Sequence, residues 1–284
     1  MGESQPKLRG RSLTVKVLGI LNLTPDSFSD GGRWIDTDLA LSRAVQMVDQ
    51  GADAIDIGGE STRPGSREIS VQEELDRIIP CLERLSNSIE VPISIDTRRC
   101  EVAQAAVDLG ATIINDTAAL RDDPELVDLV VEKDVDVVLM HRQGTPETMQ
   151  NNPGYSDVIA EISEFFRERL DFFVSKGGQR DKVILDPGIG FGKRLEDNFR
   201  IAASLRKFKD LGTRLMLGAS RKACTGALDG SPPDDRLPGS LAFVSMAQRC
   251  GVEWVRVHDV DETVRFLKVL QAIREEVVDQ EDQA

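Results

Sequence analysis

A chain of 284 residues, 40% apolar and 30% charged, has the composition of a globular enzyme and the length of one large α/β barrel or at most two smaller domains. Its formal net charge of −14 disfavours bulk attraction to nucleic acid or to an anionic membrane, so an anionic ligand has to be held by a local cluster of cations. No stretch is long and apolar enough to span a bilayer and the first sixteen residues lack an apolar signal core, which sets a cytoplasmic location as the expectation.

Eight short apolar runs follow one another along the chain, each stopping at a polar residue or a glycine. They are Val15 to Leu21 before Asn22, Ala54 to Ile57 before Gly58, Pro92 to Ile95 before Asp96, and Ala111 to Ile114 before Asn115-Asp116. Val135 to Met140 before His141, Val183 to Leu185 before Asp186, Leu215 to Leu217 before Gly218 and Val252 to Val257 before His258 complete the set. Between them lie segments with helical patterns: Asp38 to Gln50, Gln72 to Ser86, Cys100 to Leu109, Pro124 to Lys133, Asp157 to Lys176, Leu195 to Leu211, Ser240 to Arg249 and Glu262 to Glu276. In the first, Leu39, Leu41, Ala44, Val45 and Val48 recur at three-to-four-residue spacing, the mark of a helix lying on a sheet. Gly51, Gly110 and Gly251 stop three of these segments.

Alternating strand and helix, with right-handed crossovers, predicts a single (β/α)8 TIM barrel over residues 12–278, with residues 1–11 and 279–284 as polar tails. The connections Leu23 to Thr37, Gly59 to Ser70 and Arg142 to Ser156 are too long for ordinary βα turns and rich in loop-forming residues. The loops after the first two strands are expected to be long, mobile lids over a site at the carboxyl rim of the barrel. The four cysteines, Cys81, Cys100, Cys224 and Cys250, show no metal-binding or disulfide spacing.

Polar groups at the ends of parallel strands share one rim. Asp96 alone reads equally as a cap on the next helix, but Asn115-Asp116 and Asp186-Pro187 repeat its placement. Acceptor-only carboxylates with a carboxamide suit a flat heterocycle carrying several N–H groups, such as a pterin or a guanine, with a divalent metal as the competing use. Arg63, Arg221-Lys222, Arg256 and His258 supply cations, and the two-residue spacing of Arg256 and His258 puts both on one face of the last strand. With Thr62 and Asn22 they form a candidate phosphate or diphosphate site. The Asp186 to Lys193 stretch lacks the spacing of a nucleotide P-loop; its glycines would let backbone pass close to a flat ligand, with Phe191 as a wall.

The strings GILNLTPDSFSDGG from Gly19 to Gly32, DIGGESTRPG from Asp56 to Gly65 and DPGIGFGK from Asp186 to Lys193 resemble the dihydropteroate synthase family. Ser220-Arg221-Lys222 and Arg256-Val257-His258-Asp259-Val260 add to the resemblance, which runs in order from about Val17 to Ala272. It implies an α/β barrel, a cytoplasmic homodimer targeted by sulfonamides, that condenses 6-hydroxymethyl-7,8-dihydropterin diphosphate with 4-aminobenzoate in folate synthesis. By that resemblance Asp96, Asn115, Asp186 and Lys222 read the pterin edges while Met140 and Gly218 line its faces. Asn22 ligates Mg2+, and Asn22, Thr62, Arg63, Arg256 and His258 hold the diphosphate. Arg63, Pro64, Phe191, Ser220 and Lys222 frame the aminobenzoate, with Asp96, Lys222, Arg256 and His258 as the catalytic set.

This chain departs from the family pattern at Arg142, where an apolar Met is usual, at Ala223-Cys224, and at Arg67, Thr117 and Pro238. Two rival readings stand beside the synthase. A pterin-dependent methyltransferase shares the barrel and the pterin-reading groups but has no need of the Glu60 to Gly65 loop or the Ser220 to Lys222 pocket. A non-catalytic pterin carrier would bind without turnover.

Overall fold

A computed structural model of the chain describes residues 15–24, 37–61, 65–145 and 147–281. The eight apolar runs form eight parallel strands: β1 (Lys16–Asn22), β2 (Ala54–Gly58), β3 (Ile93–Asp96), β4 (Ile113–Asp116), β5 (Asp136–Met140), β6 (Val183–Asp186), β7 (Arg214–Leu217) and β8 (Trp254–Val257). They follow chain order around a closed barrel, in which β8 returns to pair with β1 through Lys16↔Trp254 and Gly19↔Val257.

Nine α-helices lie among the described residues: α1 (Thr37–Asp49), α2 (Val71–Leu85), α3 (Cys100–Asp108), α4 (Leu126–Lys133), α5 (Val158–Ser175), α6 (Leu195–Ala203), α7 (Leu205–Lys209), α8 (Leu237–Arg249) and α9 (Val260–Glu281). The single helix expected over Leu195 to Leu211 is therefore two. Ser204 leaves the helical region at φ −117°, ψ 15°, and the bend lets Leu205 and Phe208 both bury completely. No glycine or proline marks that break in the sequence. Helix α8 starts earlier than its apolar pattern does because Pro238 sits in its first turn, where its fixed φ suits a helix start.

Alternation along the strands separates two cores. Residues such as Ile55, Ile57, Ile95, Ile114, Val137, Leu139, Leu185, Leu215 and Val255 point outward and join the helices in the main apolar cluster. The opposite parity fills the barrel: Leu18, Ala54, Ile113, Val138, Ile184, Met216 and Trp254 form a second, closed apolar cluster. That inner layer is a floor. Further along β2, β3, β4, β6 and β8 the same parity brings Asp56, Asp96, Asn115, Asp186 and Arg256 to the upper end of the barrel, above the floor.

Candidate active site

Strand register places four site positions side by side. Asn22 pairs with Gly58, Gly58 with Asp96, and Asp96 with Asn115, while Met140 pairs with Asp186 on the opposite wall. Gly58 leaves room between its neighbours: a β-carbon there would lie 3.5 Å from Asp96 Cβ and 3.7 Å from Asn22 Oδ1. Gly218 does the same across the mouth, where a β-carbon would lie 3.5 Å from Asp186 Oδ2 and 3.7 Å from Arg256 Cβ.

Beneath this rim lies a polar layer organised by Asp56, which is completely buried. Asp56 accepts from Ser94 Oγ at 2.5 Å, Asn115 Nδ2 at 3.2 Å and Arg256 Nε at 2.6 Å. Arg256 also donates from Nη2 to Asp96 Oδ2 at 2.8 Å. Asn115 spends one of its two amide N–H groups on Asp56, which fixes the amide orientation and leaves its Oδ1 to accept from a ligand. Asp96, Asp186 and Asn115 then present acceptors, the arrangement that N–H groups on a ring edge require.

Sequence reasoning centred on the polar residues that end each run passed over Asp56, because it lies inside the run Ala54 to Ile57. The available signal was parity: a carboxylate two residues before Gly58, on the barrel face of a strand that is otherwise apolar. The cap reading divides between neighbours. Asp116 is a turn acceptor, taking Ala118 N at 2.7 Å and Leu120 N at 2.5 Å. Asp96 caps nothing, since the Cys100 amide at the start of α3 donates to Asp123 at 2.7 Å. Asp186 does both kinds of work, with Oδ1 accepting from Gly188 N at 2.8 Å and Oδ2 turned toward Gly218.

Burial shapes the charges. It raises the Asp96 carboxyl to about 7 against the opposing pull of Arg256, and it raises Asp186 as well, against Lys222. Burial lowers Lys222 to about 8, with the Asp186 carboxylate opposing the shift. Lys222 Nζ donates to Ile189 O at 2.5 Å and stands 4.3 Å from the centroid of the Phe191 ring, a cation–π contact.

At the end of β8, the His258 amide donates to Ser220 Oγ at 3.1 Å and the His258 Nδ1 lies 3.0 Å from the same oxygen. Arg256 lies within β8 and turns to Asp56 and Asp96, whereas His258 follows just past the strand's end. Arg221, a candidate cation in the sequence, is turned away into ion pairs with Asp259 and Asp234. The glycines of the 188–192 stretch serve a different purpose from the one expected. A β-carbon at Gly188 would meet His141 O at 2.0 Å and one at Gly192 would meet Gln143 O at 2.4 Å, so these two let one loop pack on the backbone of another. Two of them also border candidate site side chains, Gly188 that of Met140 and Gly190 that of Lys222. Thr62, Arg63 and Pro64, and the 25–36 part of the loop after β1, lie outside the described residues.

A closed parallel barrel with acceptors and cations from six strand ends defines an enzyme of the barrel class, with its site at the carboxyl rim. The profile of the pterin binding enzyme family matches residues 18–258. The chain is 45% identical over 256 residues to the dihydropteroate synthase of Escherichia coli strain K12, covering 90% of each. It superposes on the Yersinia pestis dihydropteroate synthase in a sulfonamide drug complex with a TM-score of 0.87 at 42% identity, covering 92% of this chain and 94% of that one. The Xanthomonas albilineans dihydropteroate synthase with 4-aminobenzoic acid gives 0.86 at 43% identity, over 92% and 93% of the two chains. The chain belongs to the pterin binding enzymes, within the dihydropteroate synthases. Its activity is that transferase reaction of folate biosynthesis.

Proposed function

We propose that this site condenses 6-hydroxymethyl-7,8-dihydropterin diphosphate with 4-aminobenzoate through the residues assembled at the barrel rim, with Asp96, Asn115, Asp186 and Lys222 on the pterin. The observation that carries the assignment is the set of acceptors from Asp96, Asn115 Oδ1 and Asp186 above an apolar floor, with Gly218 leaving room beside Asp186 and Arg256. A dihydropterin matches it because its two edges carry ring N–H groups and an exocyclic amine. The methyltransferase alternative loses support beside relatives 42–45% identical that are named dihydropteroate synthases.

Arg256 has Nε and Nη2 committed to Asp56 and Asp96, so Nη1 is the nitrogen it offers to a diphosphate oxygen, with His258 as a second diphosphate group. Asp56 acts as a positioning residue: it fixes the guanidinium plane and the Asn115 amide together. Diphosphate leaves the pterin methylene carbon as the C–O bond breaks. The ring delocalises the resulting positive charge, and the Asp96 carboxylate stabilises it. The arylamine nitrogen then attacks that carbon and sheds a proton. A weak aryl nucleophile needs such an electrophile. Lys222 and Ser220 hold the aminobenzoate carboxylate, and Phe191 walls its ring.

Among the described residues no cluster of three or more His, Cys, Asp or Glu could hold a metal ion. Magnesium needs no such cluster, because it keeps several waters and binds through one or two protein groups together with substrate phosphates. The Asn22 carboxamide oxygen, on the same side of Gly58 as Asp96, fits that demand and would hold Mg2+ with the diphosphate. When bound, Mg2+ neutralises charge developing on the departing diphosphate. A cytoplasmic homodimer is the setting proposed for this activity; no helix among the described residues is long and apolar enough to cross a membrane.

Calorimetric binding of free dihydropterin and of its diphosphate separates the roles. Asp186→Ala should abolish binding of both, whereas Arg256→Ala should weaken the diphosphate at least tenfold more than the free pterin. Equal losses in Arg256→Ala would move that residue to the ring.

A further inference from the structure

Residues 189 to 192, after β6, have four consecutive carbonyls, and each accepts from a side chain. Lys222 Nζ donates to Ile189 O at 2.5 Å, Gln150 Nε2 to Gly190 O at 2.7 Å, Lys193 Nζ to Phe191 O at 3.0 Å and Tyr155 Oη to Gly192 O at 2.7 Å. The backbone needs such donors. Gly188, Gly190 and Gly192 have φ of +67°, +79° and +63°, and alternating left-handed residues build neither helix nor strand, so the carbonyls have no ladder to join. Lys193 closes the arrangement from below: its buried Nζ also reaches His141 O at 3.2 Å and lies 3.0 Å from His141 Nδ1.

Two of the four donors come from the long loop after β5, which supplies no group to the substrates in the reading above. The carbonyls they hold, Gly190 O and Gly192 O, flank Phe191 on both sides in sequence. Tyr155 is well suited to the task because burial, with Asp197 and Glu161 nearby, raises its phenol far above neutrality, so the hydroxyl stays a donor.

We propose that Tyr155 and Gln150 are positioning residues for the aminobenzoate pocket: by holding the Gly192 and Gly190 carbonyls they fix the Phe191 ring against Lys222. The proposal rests on the placement of Phe191 and Lys222 at the aminobenzoate. It makes the loop after β5 a determinant of arylamine affinity without any contact to the arylamine.

The test is steady-state kinetics of the full-length enzyme carrying Tyr155→Phe, Gln150→Leu, both together, and Phe191→Ala, with each substrate varied in turn. Tyr155→Phe removes only the hydroxyl and keeps the ring that packs beside His141 at 6.1 Å between centroids. In the double variant KM for 4-aminobenzoate should rise about three- to tenfold, the loss expected for modest hydrogen bonds, while KM for the pterin diphosphate stays within about twofold. In a Phe191→Ala background Tyr155→Phe should add nothing to the aminobenzoate KM, because the ring it positions is gone. An unchanged aminobenzoate KM in the double variant, equal rises for both substrates, or full additivity with Phe191→Ala would each overturn the proposal. If Phe191→Ala itself leaves that KM unchanged, the pocket assignment falls and the proposal with it, which distinguishes the two failures.

Discussion

Arg256 and Asp56 are 200 positions apart in the chain and joined by a 2.6 Å hydrogen bond from Nε to Oδ2 inside the barrel. The closure of β8 onto β1 beside β2 brings them together, and the pair then sets both the cation for the diphosphate and the amide orientation of Asn115.

Removing Asp56 leaves a buried guanidinium with one carboxylate in place of two, and leaves Ser94 Oγ and Asn115 Nδ2 without an acceptor. Losing one member of a buried ionic group costs about 3–5 kcal/mol. Asp56→Ala should therefore lower the unfolding free energy by that amount in urea titration and also raise KM for the pterin diphosphate. A change below about 1 kcal/mol would show that Asp56 is an accessory to the site and not its organiser.

The shifts of Asp96 to about 7 and Lys222 to about 8 set a pH profile. If the free enzyme works with Asp96 ionised and Lys222 protonated, kcat/KM falls on the acid side through about 7 and on the alkaline side through about 8. Asp96→Asn should remove the acid limb from whatever rate remains and keep the alkaline one. For stability the sign is set by Lys222, whose folded value lies below its unfolded 10.5. The unfolded chain holds more protons between the two values, so this group makes stability rise with pH from about 8 to 10.5. Thermal melts of Lys222→Met across that window should show the rise flattened; a wild-type slope unchanged in Lys222→Met would contradict the burial of the amine.

Gly188 and Gly192 combine a left-handed φ with backbone at 2.0 and 2.4 Å from an added β-carbon. Alanine at either site has to separate the loops after β5 and β6, and soluble yield and melting temperature should both collapse. Gly212 has a φ of +77° with open space around it, so Gly212→Ala should cost only the strain of about 1–2 kcal/mol. Comparable losses at all three would mean the interloop contact carries no weight.

Most of the fold was legible because a parallel barrel writes itself as repeated apolar runs, and all eight runs became strands in order. The rim residues were legible for the same reason. Asp56 was hidden inside a run, and only the two-residue parity shared with Ala54 and Gly58 exposes it. Ser204 carries no mark of the break it makes, since the gain comes from burying Leu205 and Phe208 against distant residues. The interloop role of Gly188 and Gly192 depends on contacts with His141 and Gln143 that no local pattern encodes.

Arg142, the departure from the family pattern beside His141, is buried and paired with Asp122 at 2.5 Å, and Asp122 pairs in turn with Arg98 at 3.2 Å. Its Nε has no partner among the described residues. Arg142→Met removes that unsatisfied donor and leaves Asp122 with Arg98, so stability should change by less than about 1 kcal/mol with activity retained. A loss of several kcal/mol by chemical denaturation would show that the ion pair had become essential in this chain.

The most direct test is an assay of the purified protein with Mg2+ and the dihydropterin diphosphate, with and without 4-aminobenzoate, following diphosphate and dihydropteroate together. Equimolar release of both products, dependent on both substrates and lost in Asp96→Ala, is the expected result. Tight pterin binding with no dihydropteroate formed would contradict the account and leave the barrel as a pterin carrier.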